Sequence, residues 1–268
     1  MKRIYSKEHT KYLNKLRLSI FGIHLSRILV LVAICGAWEM VANLNIVDPF
    51  ITSSPSRIVH ALNDLFINGN LTYHMWVTLK ETLLAFSIST IIGFVLALIL
   101  YSIPPIRKCL EPFLVVLNSL PKVALGPLII VWVGAGMKAT VTMGILICVV
   151  VTLISILNGF LNVNSEQIKL LKTLGANHFQ ILIHLVIPSN ISNIISVLKI
   201  NVGLAWVGVI MGEYLNSSAG LGYLIVYGGQ IFKLDLVMAG VLVLCALASV
   251  MYFIIAGIEL IVNKKLGK

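Results

Sequence analysis

Six apolar runs, each long enough to cross a lipid bilayer, constrain this chain more than any other feature. They cover roughly residues 26–44, 79–103, 110–133, 139–160, 194–213 and 237–262. A helix needs about 20 apolar residues to span the hydrocarbon core. Within lipid every backbone N–H and C=O must be satisfied by the protein, so only helices or closed barrels can span. Barrel strands alternate apolar and polar positions, whereas these runs are continuously apolar. The expectation is an all-α, polytopic membrane protein with six transmembrane helices. Composition agrees, because 11% of residues are charged and mean hydropathy is +1.00, against about 25% charged residues in a soluble domain. The even spread of the runs favours one membrane domain with no soluble domain attached.

The net charge of +10 invites a nucleic-acid reading. Such binders cluster basic residues with exposed aromatics on a polar face. Here the basic residues sit between apolar runs, which excludes that class and points to topology instead. Lysine and arginine accumulate in cytoplasmic loops. With the N-terminus inside, the inner segments hold Lys2, Arg3, Lys7, Lys11, Lys15, Arg17, Arg27, Arg107, Lys108, Lys169, Lys172, Lys264, Lys265 and Lys268. The outer segments hold only Arg57, Lys80, Lys138 and Lys233. Both termini are therefore expected in the cytoplasm. The organisation read from this is a cytoplasmic basic segment (1–25), a first transmembrane helix (26–44), and an extracellular loop with an amphipathic helix (45–78). A core of five further helices (79–262) follows, then a cytoplasmic tail (263–268).

The basic N-terminus followed by an apolar stretch imitates a signal peptide, but no small-x-small cleavage site follows. Ile34 is too large for the residue before a lipoprotein cysteine at Cys35, so an uncleaved first helix is expected. The cysteines Cys35, Cys109, Cys148 and Cys245 form no CxxC pair. In the outer loop, Ser54 can cap a short helix with Pro55 at its first position. Ile58, Val59, Leu62, Leu65 and Phe66 would share its apolar face, and Asn68-Gly69-Asn70 reads as a turn. Such a helix suits the outer membrane interface; a solvated linker fits the same residues. The third run carries Pro112, Pro121 and Pro127. Proline kinks a helix, and such breaks survive in membranes where protein or a water-filled cavity satisfies the freed groups. Pro121 and Pro127 thus mark a candidate pathway wall, with an ordinary kinked packing helix as the alternative; Lys122 beside them could present positive charge to a solute or simply snorkel from the inner edge. Charges inside a membrane are expensive and point to function. Glu39 and Glu213 qualify, Glu213 facing a pathway mouth or a partner subunit, or else simply interfacial. Lys199 is expected to snorkel inward.

The segment between the fourth and fifth runs, residues 162–188, is too long for a simple connection. It shows helical periodicity. Ile168, Leu171 and Leu174 share one face, and Phe179, Leu182, Ile183 and Val186 another. Gly175 sits between them at a C-cap position, and Ser165 can cap the first piece. The pattern predicts helix, glycine turn, helix, then Pro188 before the next membrane segment. A short helix with apolar anchors can seat in a groove on a partner; a hairpin lying on the inner leaflet has the same pattern. His178 and His184 on this hairpin lack nearby carboxylate or cysteine ligands, which argues against a metal.

At these residues the chain resembles the type I ABC importer permeases, whose cytoplasmic motif runs E-A-A-x3-G-x9-I-x-L-P. Gly175, Leu185, Ile187 and Pro188 fall at the required spacing. The E-A-A positions are Lys169-Leu170-Leu171, so that half of the motif is not kept. From about residue 38 onward the chain is similar to the nitrate/sulfonate/taurine branch. Ser53-Ser54-Pro55-Ser56 resembles its L-P-S-P segment. Leu120-Pro121-Lys122-Val123-Ala124-Leu125-Gly126-Pro127-Leu128, followed by Trp132-Val133-Gly134, resembles its P-x-A-x2-P-L…W-F-G pattern. Leu174-Gly175-Ala176 fits its L-G-A, Ala205-Trp206 with Glu213 its A-W…E, and Gly220-Leu221-Gly222-Tyr223 its G-L-G-Y.

The resemblance implies the permease fold of this family and a membrane-spanning subunit that forms the path for a small solute. The solute would be an anion such as sulfonate, taurine or nitrate, or alternatively a pyrimidine-type vitamin precursor. It implies coupling to ATPase through Lys169, Leu170, Leu171, Leu174, Gly175, Ala176, Phe179, Leu185, Ile187 and Pro188. It also implies pathway roles for Pro121, Lys122, Pro127, Trp206 and Glu213. The implied partners are two cytoplasmic ABC ATPase subunits, a second permease copy in a homodimer, an extracytoplasmic solute-binding protein and the lipid bilayer of a prokaryotic plasma membrane. Nucleic acid is not among them. A P-loop, G-x4-G-K-[ST], is absent, and the only Gly-Lys pair is Gly267-Lys268. No cofactor is expected on this chain, no enzyme activity, and ATP-Mg belongs to the partner. A stand-alone secondary transporter or channel would show internal repeats or several buried charges, and a membrane enzyme a nucleophile with its base; neither pattern is clear in the sequence.

Overall fold

The computed structural model describes residues 7–44 and 46–265, and among these there is no strand. Five helices are long and apolar enough to span a membrane, and a sixth span is bent. The first, α1 (Lys7–Asn43), is one continuous helix. Its apolar span is Leu25–Asn43, and the preceding residues from Lys7 belong to the same helix. After a short turn of helix, α2 (Pro49–Thr52), comes α3 (Pro55–Ile67). Ser54 caps α3, its side chain accepting from Arg57 N–H, with proline in the first turn. Ile58 and Leu65 are buried, but Val59 and Phe66 are 64% and 65% exposed. The apolar face of α3 is thus narrower than the sequence suggested. It packs with Ala61 and Leu62 against Leu221, Leu224 and Ala239.

Helix α4 (Leu71–Ser102) starts at Leu71, eight residues before the apolar run itself. Its polar first turns are paid for by side-chain contacts described below. The third run, expected as one kinked helix over 110–133, is instead two pieces. These are α5 (Pro104–Ser119) and, after a 3-10 turn (Lys122–Leu125), α6 (Gly126–Val133), inclined at 85°. Leu120 is extended (φ −64°, ψ 131°) before Pro121, the conformation that a following proline imposes. Pro127 then occupies the first turn of α6, where its missing N–H costs nothing.

Helices α7 (Met137–Leu161) and α11 (Ile191–Asn216), which runs back from the segment connecting them, form the packed centre with α4. Small residues permit their approach: a Cβ on Gly208 would sit 2.6 Å from Gly144 Cα, the close contact typical of membrane helix pairs. Asn201 Nδ2 donates to Thr152 Oγ1 at 2.6 Å within this core. A short α12 (Leu221–Gln230), not anticipated from the sequence, precedes the last long helix, α13 (Leu234–Lys265). The Nζ of Lys199, expected to snorkel inward, pairs with Glu259 near the C-terminal end of α13 at 2.6 Å. Glu39, at the end of α1, accepts from Ser56 N–H and Oγ–H at the start of α3.

Candidate functional site

The connecting segment is built as a hairpin anchored on one side and bare on the other. Helix α8 (Ser165–Thr173) is capped by Asn164, whose side chain accepts from Glu166 N–H at 2.8 Å. The cap is thus one residue earlier than expected, and Ser165 is the first helical residue. Gly175 ends the piece with φ +85°. Its N–H donates to Lys172 O and Ala176 N–H to Leu171 O, both at 3.0 Å, which together make a Schellman motif. Asn177 and Gln180 then form a reciprocal capping box, both bonds 2.8 Å. This starts α9 (His178–Ile181), continued by a π turn (Leu182–Val186) and α10 (Ile187–Ser189). Pro188 cannot donate a backbone bond, and the wider turn accommodates it. Asn190 Nδ2 donates to Val186 O at 2.9 Å and satisfies that carbonyl.

The inner side of this hairpin joins the membrane core. Ile181, Leu182 and Val186 are buried with Tyr101, Leu157 and Phe160, and Ile168, Leu171, Ala176, Leu185 and Ile187 pack against them. The opposite side carries Leu170 (61% exposed), Leu174 (73%), Phe179 (68%) and Ile183 (42%). Two sequence expectations change here. Leu174 leaves the face of Ile168 and Leu171, because it lies in the cap, not in the helix. Phe179 and Ile183 part from Leu182 and Val186, where the helix widens into the π turn and the regular helical spacing no longer holds. Lys169 and Pro188 are also exposed.

The proposed pathway residues are scattered. Pro121 and Pro127 are exposed at the α5–α6 bend, and Lys122, half-buried there, donates from Nζ to Asn118 O at 3.2 Å. Near the end of α6, Val131 and Trp132 are 80% and 75% exposed. Trp206 does not join them. It is 3% exposed and packs with Val202 and Met251 against Leu79 and Phe86, inside the helix bundle. Glu213, also a pathway candidate, is 1% exposed and enclosed by its own chain. Gly222 N–H donates to its Oε2 at 2.6 Å. Alongside, Leu221 N–H donates to Thr78 Oγ1 at 2.7 Å and Gly220 N–H to His74 Nδ1 at 3.0 Å. The first N–H groups of α12 are therefore capped by side chains of α4 and α11. Glu81, one turn along α4 from Thr78 and 2% exposed, completes this cluster. Sequence reasoning missed it; the signal was a carboxyl at helical spacing from His74 and Thr78. Among the described residues, no group of three or more histidine, cysteine, aspartate or glutamate side chains could hold a metal.

Over residues 89–268 the chain matches the family described as "Binding-protein-dependent transport system inner membrane component". The chain belongs to that family. It is 30% identical over 230 residues to a probable ABC transporter permease protein of Haemophilus influenzae, covering 85% of this chain and 93% of that one. It is 24% identical over 223 residues to the taurine transport system permease protein TauC of Escherichia coli, covering 81% of each. Its fold is similar to that of a bacterial ABC transporter involved in the import of the acidic polysaccharide alginate. The TM-score is 0.65 at 13% identity, over 94% of this chain and 98% of that one. The chain is an ABC importer permease subunit, with the fold shared by importers of this kind. Its family consists of membrane components and not of enzymes, and its members serve systems that also contain a binding protein.

Proposed function

We propose that this chain, as a pair of copies in a prokaryotic plasma membrane with both termini cytoplasmic, forms the path by which a small anion such as taurine, another sulfonate or nitrate is imported. Two separate ATPases would grip the α8–α10 hairpins, one each, and an outer binding protein would deliver the solute. The observation that carries this reading is the apolar ridge Leu170, Leu174, Phe179 and Ile183, exposed on a hairpin whose other side is fixed in the membrane core. Exposed apolar anchors on a firmly held short helix suit insertion into a partner's groove. Because Ile181, Leu182 and Val186 are buried against α4 and α7, a push on the ridge would be transmitted to the spanning helices and not absorbed by a loose loop. ATP binding drives transport only if it favours one orientation of the path over the other.

The anion class is supported by the taurine permease among the relatives and by Lys122 at the α5–α6 bend, where no ion pair occupies it among the described residues. The replacement of the acidic E-A-A position by Lys169 leaves the grip apolar and basic, so the fitting groove on the ATPase would be apolar with an acidic rim.

The test is uptake by proteoliposomes containing the permease, the ATPase that a tagged permease captures from its host's membranes, and the binding protein. Radiolabelled taurine, an alkanesulfonate and nitrate are supplied singly and in competition. ATP-dependent uptake of at least one, abolished by Gly175→Pro, is expected. Uptake without the ATPase, or transport of cations in preference to all three anions, would overturn the reading.

A further inference from the structure

We propose that Glu81 and Glu213 form a proton-binding site, in which a single proton on Glu81 is shared with Glu213 and clasps the ends of α4, α11 and α12 together. The inference goes beyond the transport reading and does not depend on it.

Both side chains are at least 98% buried by their exposures of 2% and 1%, and both carboxyls sit at the start of α12: Glu213 holds Gly222 N–H, and Glu81 lies one turn along α4 from Thr78, which holds Leu221 N–H. Neither has a cationic partner. The ion pairs among the described residues are Arg57–Asp235 and Lys199–Glu259. The titratable and charged groups around the pair are His74 and Lys80 on α4, Tyr214 on α11 and Tyr223 on α12. His74 Nδ1 is taken up by Gly220 N–H, and Lys80 lies on the exposed surface beside Glu81. Gly136 and Met137 at the start of α7 carry no charge. Two adjacent carboxylates with no counter-charge are strongly unfavourable in a dry site, because repulsion is no longer screened by water.

The hydrogen-bond inventory points to the remedy. Glu213 Oε2 accepts from Gly222 N–H, yet Glu213 Oε1 and Glu81 Oε2 are both buried with no partner. Buried polar atoms without partners are uncommon, and each calls for an explanation. Two orphan acceptors on neighbouring carboxyls are satisfied together by one proton: Glu81 donates as the acid and Glu213 accepts as the carboxylate. The roles follow from their surroundings, since Glu213 already receives a backbone N–H, which favours the ionised form, and Glu81 receives none. A metal ion is a poorer fit, because no third carboxylate, histidine or cysteine joins the pair among the described residues. Glu81 borders an open cavity of about 380 Å³, lined also by Tyr73, Trp76, Lys80 and Ser217, through which the proton can exchange with water.

The experiment compares carboxyl infrared bands and thermal unfolding of the full chain in lipid nanodiscs. Wild type minus the Glu81→Gln/Glu213→Gln double variant should show one protonated-carboxyl C=O band and one carboxylate band. Glu81→Gln alone should lose the acid band and keep the carboxylate, and should unfold close to wild type, since its amide N–H replaces the shared proton. Glu81→Ala should unfold at a distinctly lower temperature, because it leaves Glu213 Oε1 unpaired. A difference spectrum with two carboxylates and no acid band would overturn the proposal. So would a Glu81→Gln protein that fails to fold, or that unfolds as early as Glu81→Ala.

Discussion

The two ends of this bundle are built on opposite rules. At the Glu213 end, polar groups are buried: Glu81, Thr78 and Glu213 are each 2% exposed or less, and the start of α12 is bonded to them. At the hairpin end, apolar groups are exposed, with Leu174 and Phe179 about as open as any large side chain on the protein. Buried polar groups are stable only when nearly every hydrogen bond is made, and at the first end Leu221 N–H to Thr78 and Gly222 N–H to Glu213 are made within one chain, leaving the two carboxyl oxygens that the shared proton would join. Exposed leucine and phenylalanine gain when a partner covers them, so under the proposed function the second end is half of an interface. The contrast then sets a region that holds its own shape against one that a partner would hold.

The sharpest way to break this contrast is to charge the ridge. Leu174→Asp with Phe179→Asp should leave thermal unfolding nearly unchanged, because surface substitutions away from special contacts stay within about 0.5 kcal/mol. Binding to the partner ATPase should weaken by roughly two to three orders of magnitude or more, given about 2 kcal/mol for each central anchor lost. Titration of labelled ATPase against permease nanodiscs measures this directly. An unchanged affinity would show that the ridge meets lipid and not a protein groove.

The converse substitution acts at the other end. A Cβ on Gly222 would lie 2.8 Å from Glu213 Oε2 and 2.9 Å from Glu213 Cβ. Gly222→Val must therefore displace a carboxyl that has nowhere dry to go. Overpacking of this kind costs about 1–3 kcal/mol, and the Gly222–Glu213 bond is lost as well. The expected result is a lower unfolding temperature and a reduced yield, while the molecules that do fold bind ATPase as tightly as wild type. If affinity fell in step with stability, the two ends would not be independent structures.

The difference between the ends also explains what could be read from the sequence. The hairpin was legible because its determinants are local: Gly175 supplies a positive φ, and the apolar spacing repeats within a few residues. The hydrophobic runs were legible for the same reason. The clasp was not, because Glu81 and Glu213 are 132 residues apart in sequence and only packing of α4 on α11 brings them together. Lys199 with Glu259, and Ser56 with Glu39, are hidden in the same way. The place of Trp206 was not legible either, because its neighbours in sequence say nothing about which side of α11 meets α13. The 85° bend was half legible: Pro121 announced a break, but the extended Leu120 and the 3-10 turn Lys122–Leu125 were needed to turn a kink into a corner.

The smallest expected effect lies between the ends and tests whether they communicate. Asn201 donates to Thr152 Oγ1 at 2.6 Å in the packing of α4, α7 and α11, yet its own Oδ1 has no partner. Asn201→Val removes a short bond and an orphan acceptor together, so the loss is partly offset. Hydrogen bonds between membrane helices are worth about 0.6 kcal/mol on average and about 1.7 at most. The variant should therefore lose on the order of 0.5 kcal/mol, and Asn201→Val with Thr152→Val no more than that, since the second change leaves nothing further unpaired. Asn201→Val should leave ATPase affinity and the carboxyl bands at wild-type values if the core serves only as a rigid frame. A change at one end alone would show that this polar contact leans toward that end. Equal changes at both would make Asn201 the contact through which a pull on the hairpin reaches the clasp.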